Sequence, residues 1–424
     1  MKIWIGGYGS CGVHNEYHGL KNMLTDLACT FTKDLSEADI IILLDTCIGS
    51  YKNINKGLDA IDKVHNNKKE NATVILSGCM AEGVNFDLNG HQKEILSKVI
   101  IVKRDDLVHY ILNLLGVSST KEECEYLPIT FDPHQVKVSP VSGCLNNCSF
   151  CKKQYMNFGL KSHPLEQIEE LKKDIVDRNL PVYMMAIHSS NLSLYGVDIF
   201  NEPKAHEVIK KLTSPEQIKF TYTGALINIY EELVLEIINN PKIKHINISL
   251  ESGSPRIYKL MNRPLSLKQV IEIIKRIKKE RPDIVIHTEL IAGFPTENED
   301  DIKMTIDLIH ELDIAPDYIF PYQNSPYIAS SLLPQSSIEH REQVRKELVN
   351  ALKELKDKFE NSIINGEYVA LRQLDTKEKM MYVMDTLGHI RVVRTGDNLR
   401  SYEEGQIIPA GTIKEKQFVL FPKK

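Results

Sequence analysis

Three cysteines, Cys144, Cys148 and Cys151, stand in a C-x3-C-x2-C spacing directly after a strand-like segment, residues 136–141. Three thiolates this close can hold three corners of a four-iron cluster and leave the fourth iron without a protein ligand, open to a substrate or cofactor. A structural zinc ion would need a fourth ligand and usually pairs its thiolates as two C-x2-C units. No second such unit is present. A disulfide would suit a secreted chain, and this one begins as a strand, Met1 to Gly7, without the basic and long apolar regions of a secretory signal. Eight cysteines in a chain read as cytoplasmic point to metal or chemistry rather than bridges.

Three further cysteines occupy equivalent places. Cys11, Cys47 and Cys79 each follow one of the first three apolar runs, 2–5, 39–44 and 73–76. In a parallel sheet, ligands bind beyond the carboxyl ends of the strands, so residues distant in sequence converge there. The placement predicts a second three-thiolate cluster. Each cysteine alone could be a small buried hydrophobe. Cys29 and Cys124 lack such placement and read as structural.

The elements that must position these residues follow from hydrophobic periodicity. Across residues 1–117, apolar runs at 2–5, 39–44, 73–76 and 99–102 read as buried strands. Helical patterns near 15–27, 53–67, 90–97 and 105–115 alternate with them. This is a doubly wound α/β layout with a mainly parallel sheet. A charged linker, 118–134, leads to a second series of six strands, 135–141, 182–187, 218–223, 245–250, 284–291 and 318–322, separated by helices. Strict alternation predicts a partial (β/α)6 barrel over 135–362. Within it, Ser266-Leu267-Lys268-Gln269 is a capping box, and Glu272 and Arg276 stand four apart on one helix face. A charged amphipathic pattern, 339–363, reads as one long helix. From 363 to 424, five short apolar segments, with turns at Gly388, Gly396 and Gly411, predict a small all-β barrel.

Barrel sites lie where strands hand over to loops. Here those handovers carry the cysteine triplet, then His188-Ser189-Ser190-Asn191, Glu251-Ser252-Gly253-Ser254, and Glu289 with Gly293-Phe294-Pro295. A single Gly-Ser loop is usually a turn, but their shared rim makes the group a candidate cofactor pocket. Within it, Phe150, His188, Ser190, Ser249, Glu251, Ser252, Glu289, Gly293 and Tyr322 are the expected contacts.

The stretch Cys144 to Cys151, with Phe150 before the last cysteine, resembles the signature of radical S-adenosylmethionine (SAM) enzymes, and the six-strand series resembles their partial barrel. The domain carrying Cys11, Cys47 and Gly78-Cys79-Met80-Ala81 resembles that of the methylthiotransferases. So do Leu250 to Ser254 with Leu260-Met261-Asn262-Arg263, and Ile291 to Pro295. The resemblance implies two [4Fe-4S] clusters. One binds SAM and generates a 5'-deoxyadenosyl radical; the other carries the inserted sulfur, and a second SAM supplies the methyl group. A reducing electron donor and a sulfur donor are implied as partners. A radical enzyme whose N-terminal cluster only relays electrons is the alternative.

For the substrate, the resemblance implies a macromolecule, and methylthiolation of adenosine beside the anticodon of transfer RNA is the family default. This chain departs from the pattern. An arginine-rich stretch after the third cluster cysteine is replaced by Lys152 to Lys161. Glu251 stands where glutamine is usual, and Gln323-Asn324-Ser325-Pro326-Tyr327 lacks the usual arginine. Arginine suits bidentate phosphate contact, so its loss favours a peptide or protein substrate. The net charge of -5, and ten Lys or Arg against eight Asp or Glu from Gly366 onward, point the same way. No apolar run is long enough to cross a membrane.

Overall fold

The structure, a computed structural model, describes residues 1–7, 20–21, 23–25, 29–44, 51–83, 88–118, 127–155, 159–325, 327–375, 380–394, 399 and 402–413. Cys11, Cys47 and Cys124 lie outside the described residues, as do residues 414–424.

The first sheet is built from β1 (Lys2–Gly7), β2 (Thr30–Phe31), β3 (Ile40–Leu44), β4 (Thr73–Leu76) and β5 (Ile100–Ile101), all parallel in the order β2-β1-β3-β4-β5. β3 is apolar and buried at every position because both of its faces are covered. Ile41 and Leu43 pack with the helix Tyr51–Asn67 on one side; Ile40, Ile42 and Leu44 pack with the helix Leu107–Leu114 on the other. The doubly wound expectation holds. Two details differ. The segment around Cys29 contributes β2, with Cys29 itself packed at the margin of the core. Ile100 and Ile101 are exposed, because β5 is an edge strand rather than a buried one.

The next strands are β6 (Ile129–Asp132), β7 (Gln135–Val138), and the short antiparallel ribbon of β8 (Val141–Ser142) with β9 (Lys161–Ser162). β10 (Met184–Ile187), β11 (Phe220–Ala225), β12 (Ile243–Asn247), β13 (Val285–Ala292) and β14 (Ala315–Pro321) follow. β7 and β10 to β14 form a six-stranded parallel sheet in chain order, and β6 adds an antiparallel strand beside β7. The sheet does not close: among the described residues β14 has no strand on its far side. β6 lies inside the segment expected to be a linker. Its apolar pattern is weak, with Thr130 buried and Phe131 exposed, and pairing with β7 satisfies its backbone groups and makes it a strand.

Side chains alternate across this sheet. Met185 and Ile187 join the helix-facing core, whereas Met184 and Ala186 face the concave side. Helices cover the convex face, including Leu267–Glu280, which starts at the expected capping box of Ser266 and Gln269. Arg276 pairs with Glu231 of the neighbouring helix Glu231–Asn239, at 2.7 and 2.8 Å, instead of with Glu272. The expected long helix is two, Ile338–Ala351 and Lys353–Ile364, divided at Leu352.

The last sheet, β15 (Tyr368–Asp375), β16 (Met380–Asp385), β17 (Ile390–Arg394) and β18 (Ile407–Ile408), is antiparallel in the order β17-β16-β15-β18. Among the described residues it is an open four-stranded sheet. One face forms its own core around Tyr368, Met381 and Val383; the other lays Val369, Leu371 and Met384 against Tyr183, Met184 and Phe220 in the concavity of the large sheet. No helix among the described residues is long and apolar enough to cross a membrane.

Candidate active site

The loop of Cys144, Cys148 and Cys151 begins where β7 ends, and the ribbon of β8 and β9 ties its two stems together. Gly143 holds φ +78° with its α-carbon against the backbone of Gly159, so a side chain at either the conformation or the contact would spread the stems. From the opposite side, the segment after the helix Pro255–Leu260 wraps the loop. The Ser149 amide donates to Met261 O at 2.9 Å and its hydroxyl to Leu260 O at 2.7 Å, while Asn262 Nδ2 donates to Asn147 O at 2.7 Å. A third clamp is Ser330, whose amide and hydroxyl both donate to Ser149 O.

The thiols meet hydrogen-bond donors. The Asn146 amide and Asn191 Nδ2 each stand 3.5 Å from Cys144 Sγ. Arg263 Nη1 stands 3.4 Å from Cys148 Sγ. The Cys151 amide donates to Cys148 O at 3.0 Å. Burial pushes the Cys148 thiol up to about 11, and that of Cys151 upward as well. A thiolate in such a place needs positive charge beside it, and iron supplies it. Among the described residues, no group of three or more His, Cys, Asp or Glu closes on the point a single ion would occupy. The donor set of three soft thiols, approached by N–H groups, fits an iron–sulfur cluster.

Arg263 is the best-connected charge here. Its side chain is only 3% exposed; Nη2 donates to Ser249 O at 2.5 Å, Glu251 Oε1 lies 3.9 Å away, and the Phe150 ring centre 5.9 Å. Its Nε has no partner, and neither does Oδ1 of the buried Asn191, whose Nδ2 also donates to Asn228 Oδ1 at 2.7 Å. Burial, partly offset by Arg263, pushes the Glu251 carboxyl up to about 7. Glu251 holds φ +70°, unusual for a residue with a side chain, and its backbone bridges to β13 through Glu289 O and the Ile291 amide, both at 2.9 Å.

Other expected residues divide by location. His188 lies beside Tyr222, ring centres 5.6 Å apart, and burial holds its pKa down at about 4, so it is neutral. Ser190 accepts from Lys153 Nζ at 2.6 Å. Glu289 Oε1 accepts from Asn247 Nδ2 at 2.6 Å, beside Ser249, and its Oε2 has no partner. Ser252 is different: it is fully buried, with its hydroxyl taken up by Thr305 and the Ser254 amide, so it fastens a loop to the helix Glu299–Leu312. Gly293, at φ +69°, lies against Arg341 and donates its amide to Glu297. Tyr322 is buried beside Phe294, bonded to Ser330 at 2.8 Å, and so braces the cysteine loop. These three support the site as scaffold. Asn228 and Arg263 were not among the expected contacts, because only the folded chain brings them to the cysteine loop; Asn146 and Asn191 stand in loops already singled out, without an assigned contact.

Of the second set, only Cys79 is described. It opens the short helix Cys79–Glu82 beyond β4, partly buried against the first core.

Comparison with known proteins places these features. The profile of the radical SAM superfamily matches residues 138–309, and that of "Uncharacterized protein family UPF0004" matches residues 2–99. The ribosomal protein uS12 methylthiotransferase RimO of Acetivibrio thermocellus is 26% identical over 381 residues, covering 83% of this chain and 82% of that protein. The chain joins a UPF0004 domain to a radical SAM domain, and its relatives are named methylthiotransferases. A second relative, the tRNA-2-methylthio-N(6)-dimethylallyladenosine synthase of Thermotoga petrophila, is 26% identical over 335 residues, 73% of this chain and 72% of that one. A probable threonylcarbamoyladenosine tRNA methylthiotransferase of Methanocaldococcus jannaschii is 25% identical over 332 residues, 75% of this chain and 74% of its own. The radical SAM domain implies SAM and a four-iron cluster. Among solved structures, the cobalamin-dependent SAM radical enzyme OxsB superposes with a TM-score of 0.52 at 14% identity, over 84% of this chain and 56% of that one. That likeness is one of fold alone.

Proposed function

We propose that this radical SAM methylthiotransferase replaces an unactivated C–H bond by C–SCH3 on an adenosine of transfer RNA. The observation carrying the substrate is the pair of relatives named for tRNA adenosines, each aligned over about three quarters of this chain. The relative named for a ribosomal protein keeps the peptide reading as the competitor. Loss of arginine at two rim loops removes phosphate contacts but leaves Lys152, Lys153 and Lys161 beside the cysteine loop, so it does not exclude RNA.

Cys144, Cys148 and Cys151 are the ligands of the SAM-binding cluster in this reading. Asn146, Asn191 and Arg263 steady the thiolates, and Phe150 packs beneath them. His188, Ser190, Ser249, Glu251 and Glu289 line the cofactor pocket. Bound together, cluster and SAM supply a radical able to take hydrogen from the target carbon. The chain's own part is to hold the thiolates by N–H donors, to place Glu251 opposite Arg263, and to present the target at the carboxyl end of the sheet.

A second cluster, on Cys11, Cys47 and Cys79, is the proposed sulfur carrier. Its support is topological: the three residues follow β1, β3 and β4, which are neighbours in the sheet. About eight irons per reconstituted chain, falling to about four when all three become alanine, is the expected count. Methylthio product surviving that variant would rule out the sulfur-donor role of the N-terminal cluster. The substrate is tested by incubating the reconstituted enzyme and SAM with total tRNA, and separately with ribosomal proteins. A methylthio mass increment on adenosine is expected; an increment confined to protein overturns the RNA assignment.

A further inference from the structure

A row of side chains crosses the concave face of the large sheet. It runs from His188 after β10 to Tyr222 of β11, Asn247 of β12 and Glu289 of β13. The parallel register pairs Glu289 with Tyr318 and Ile291 with Phe320, so both aromatics share the face of Glu289. Here the row changes character. Tyr318 is 60% and Phe320 51% exposed, although both sit on a strand of the central sheet. Their rings lie nearly parallel, with centres 5.7 Å apart and planes inclined by 12°. β14 is the last strand of the open sheet, and among the described residues no further strand lies on its far side.

We infer that Tyr318 and Phe320 form a stacking platform that receives the target nucleobase of an RNA at the open edge of the barrel. The inference rests on the tRNA reading of the site and names where the base sits. Large aromatic side chains left bare on a sheet face are unusual, and a contiguous bare pair marks a surface that a ligand covers. Two parallel rings extend a flat surface, onto which an unstacked base adds a further layer; RNA readers commonly take single-stranded bases this way. The occupant is a base rather than an aliphatic side chain for a second reason. Glu289 Oε2, on the strand paired with Tyr318, is buried without a partner. It offers an acceptor to an exocyclic N–H such as adenine carries.

The test uses full-length, cluster-reconstituted protein and an anticodon stem-loop RNA in three forms. These carry adenine, the fluorescent base 2-aminopurine, or an abasic residue beside the anticodon. Y318L and F320L are compared with Y318F and F320Y, each checked for parental iron content and melting temperature. The parent is expected to quench 2-aminopurine, and the two leucine variants are expected to lose the quenching. They should bind the adenine RNA about tenfold more weakly and the abasic RNA like the parent. The ring-retaining variants should behave as the parent. RNA bound and quenched equally by parent and leucine variants overturns the platform and leaves the tRNA reading standing. No RNA binding by the parent, with binding of a ribosomal-protein peptide, overturns both.

Discussion

At the scale of the residue, the site turns on one buried cation. Arg263 touches the Cys148 thiol, a carboxylate, a carbonyl and an aromatic ring, and its side chain is almost wholly out of water. A buried ion pair contributes little over an apolar pair of the same shape, but removing one partner strands the other charge at a cost of several kcal/mol. Arg263→Met should therefore destabilise the apo-protein by about 3 kcal/mol at pH 8, where Glu251 is ionised. Adding Glu251→Gln should restore most of it. Urea unfolding of the three proteins checks this, and equal midpoints for parent and Arg263→Met would refute the pairing. The cysteine spacing was legible in the sequence because three ligands within eight positions carry their own geometry. The role of the arginine was not: it closes the Leu260-Met261-Asn262-Arg263 stretch, 115 positions from the thiol it meets.

At the scale of the element, the short ribbon of β8 and β9 sets the mouth of the cysteine loop, and its tolerance is narrow. Gly143 has both a positive φ and a carbonyl where a side chain would be. Gly143→Ala should cost about 1–3 kcal/mol locally and spread the stems. Iron retention should fall by about half, since the proposed second cluster does not use this loop. Iron assay with electron paramagnetic resonance of the reduced protein checks it; full retention of both clusters would show that the ribbon does not set the ligand geometry. Elements of this kind are hard to read from sequence. The six parallel strands and the capping box at Ser266 were legible because period and cap chemistry are local. β6, β8 and β9 are two to four residues long, and only their partners make them strands. The division of the expected long helix at Leu352 and the pairing of Arg276 with Glu231 are likewise decisions of tertiary packing over local pattern.

At the scale of the whole molecule, the C-terminal sheet is part of the barrel's core and not an appended module. Tyr183, Met184 and Phe220 of the barrel share one apolar cluster with Val369, Leu371 and Met384. The turn between β16 and β17 reaches deeper: Thr386 Oγ1 lies 2.7 Å from His245 Nε2, whose Nδ1 lies 2.8 Å from His287 Nε2, and His287 Nδ1 lies 2.7 Å from Asp317. Burial first, then the electrostatic influence of the neighbouring His287, His389 and Lys244, holds the His245 pKa well below its usual value. The folded state therefore keeps His245 neutral, whereas the unfolded chain protonates it near pH 6.5. A depressed histidine contributes stability that is present above the unfolded pKa and lost as the pH falls below it. The seam between the two sheets should thus weaken between pH 7 and 5. His245→Gln keeps a donor and an acceptor in place but cannot titrate, so its stability should fall less steeply over that range than the parent's. Thermal unfolding at several pH values, with near-ultraviolet circular dichroism as the packing signal, measures both slopes. Parallel slopes for parent and His245→Gln would move the acid sensitivity elsewhere, whereas a flattened slope places it at the seam that holds the C-terminal sheet in the barrel.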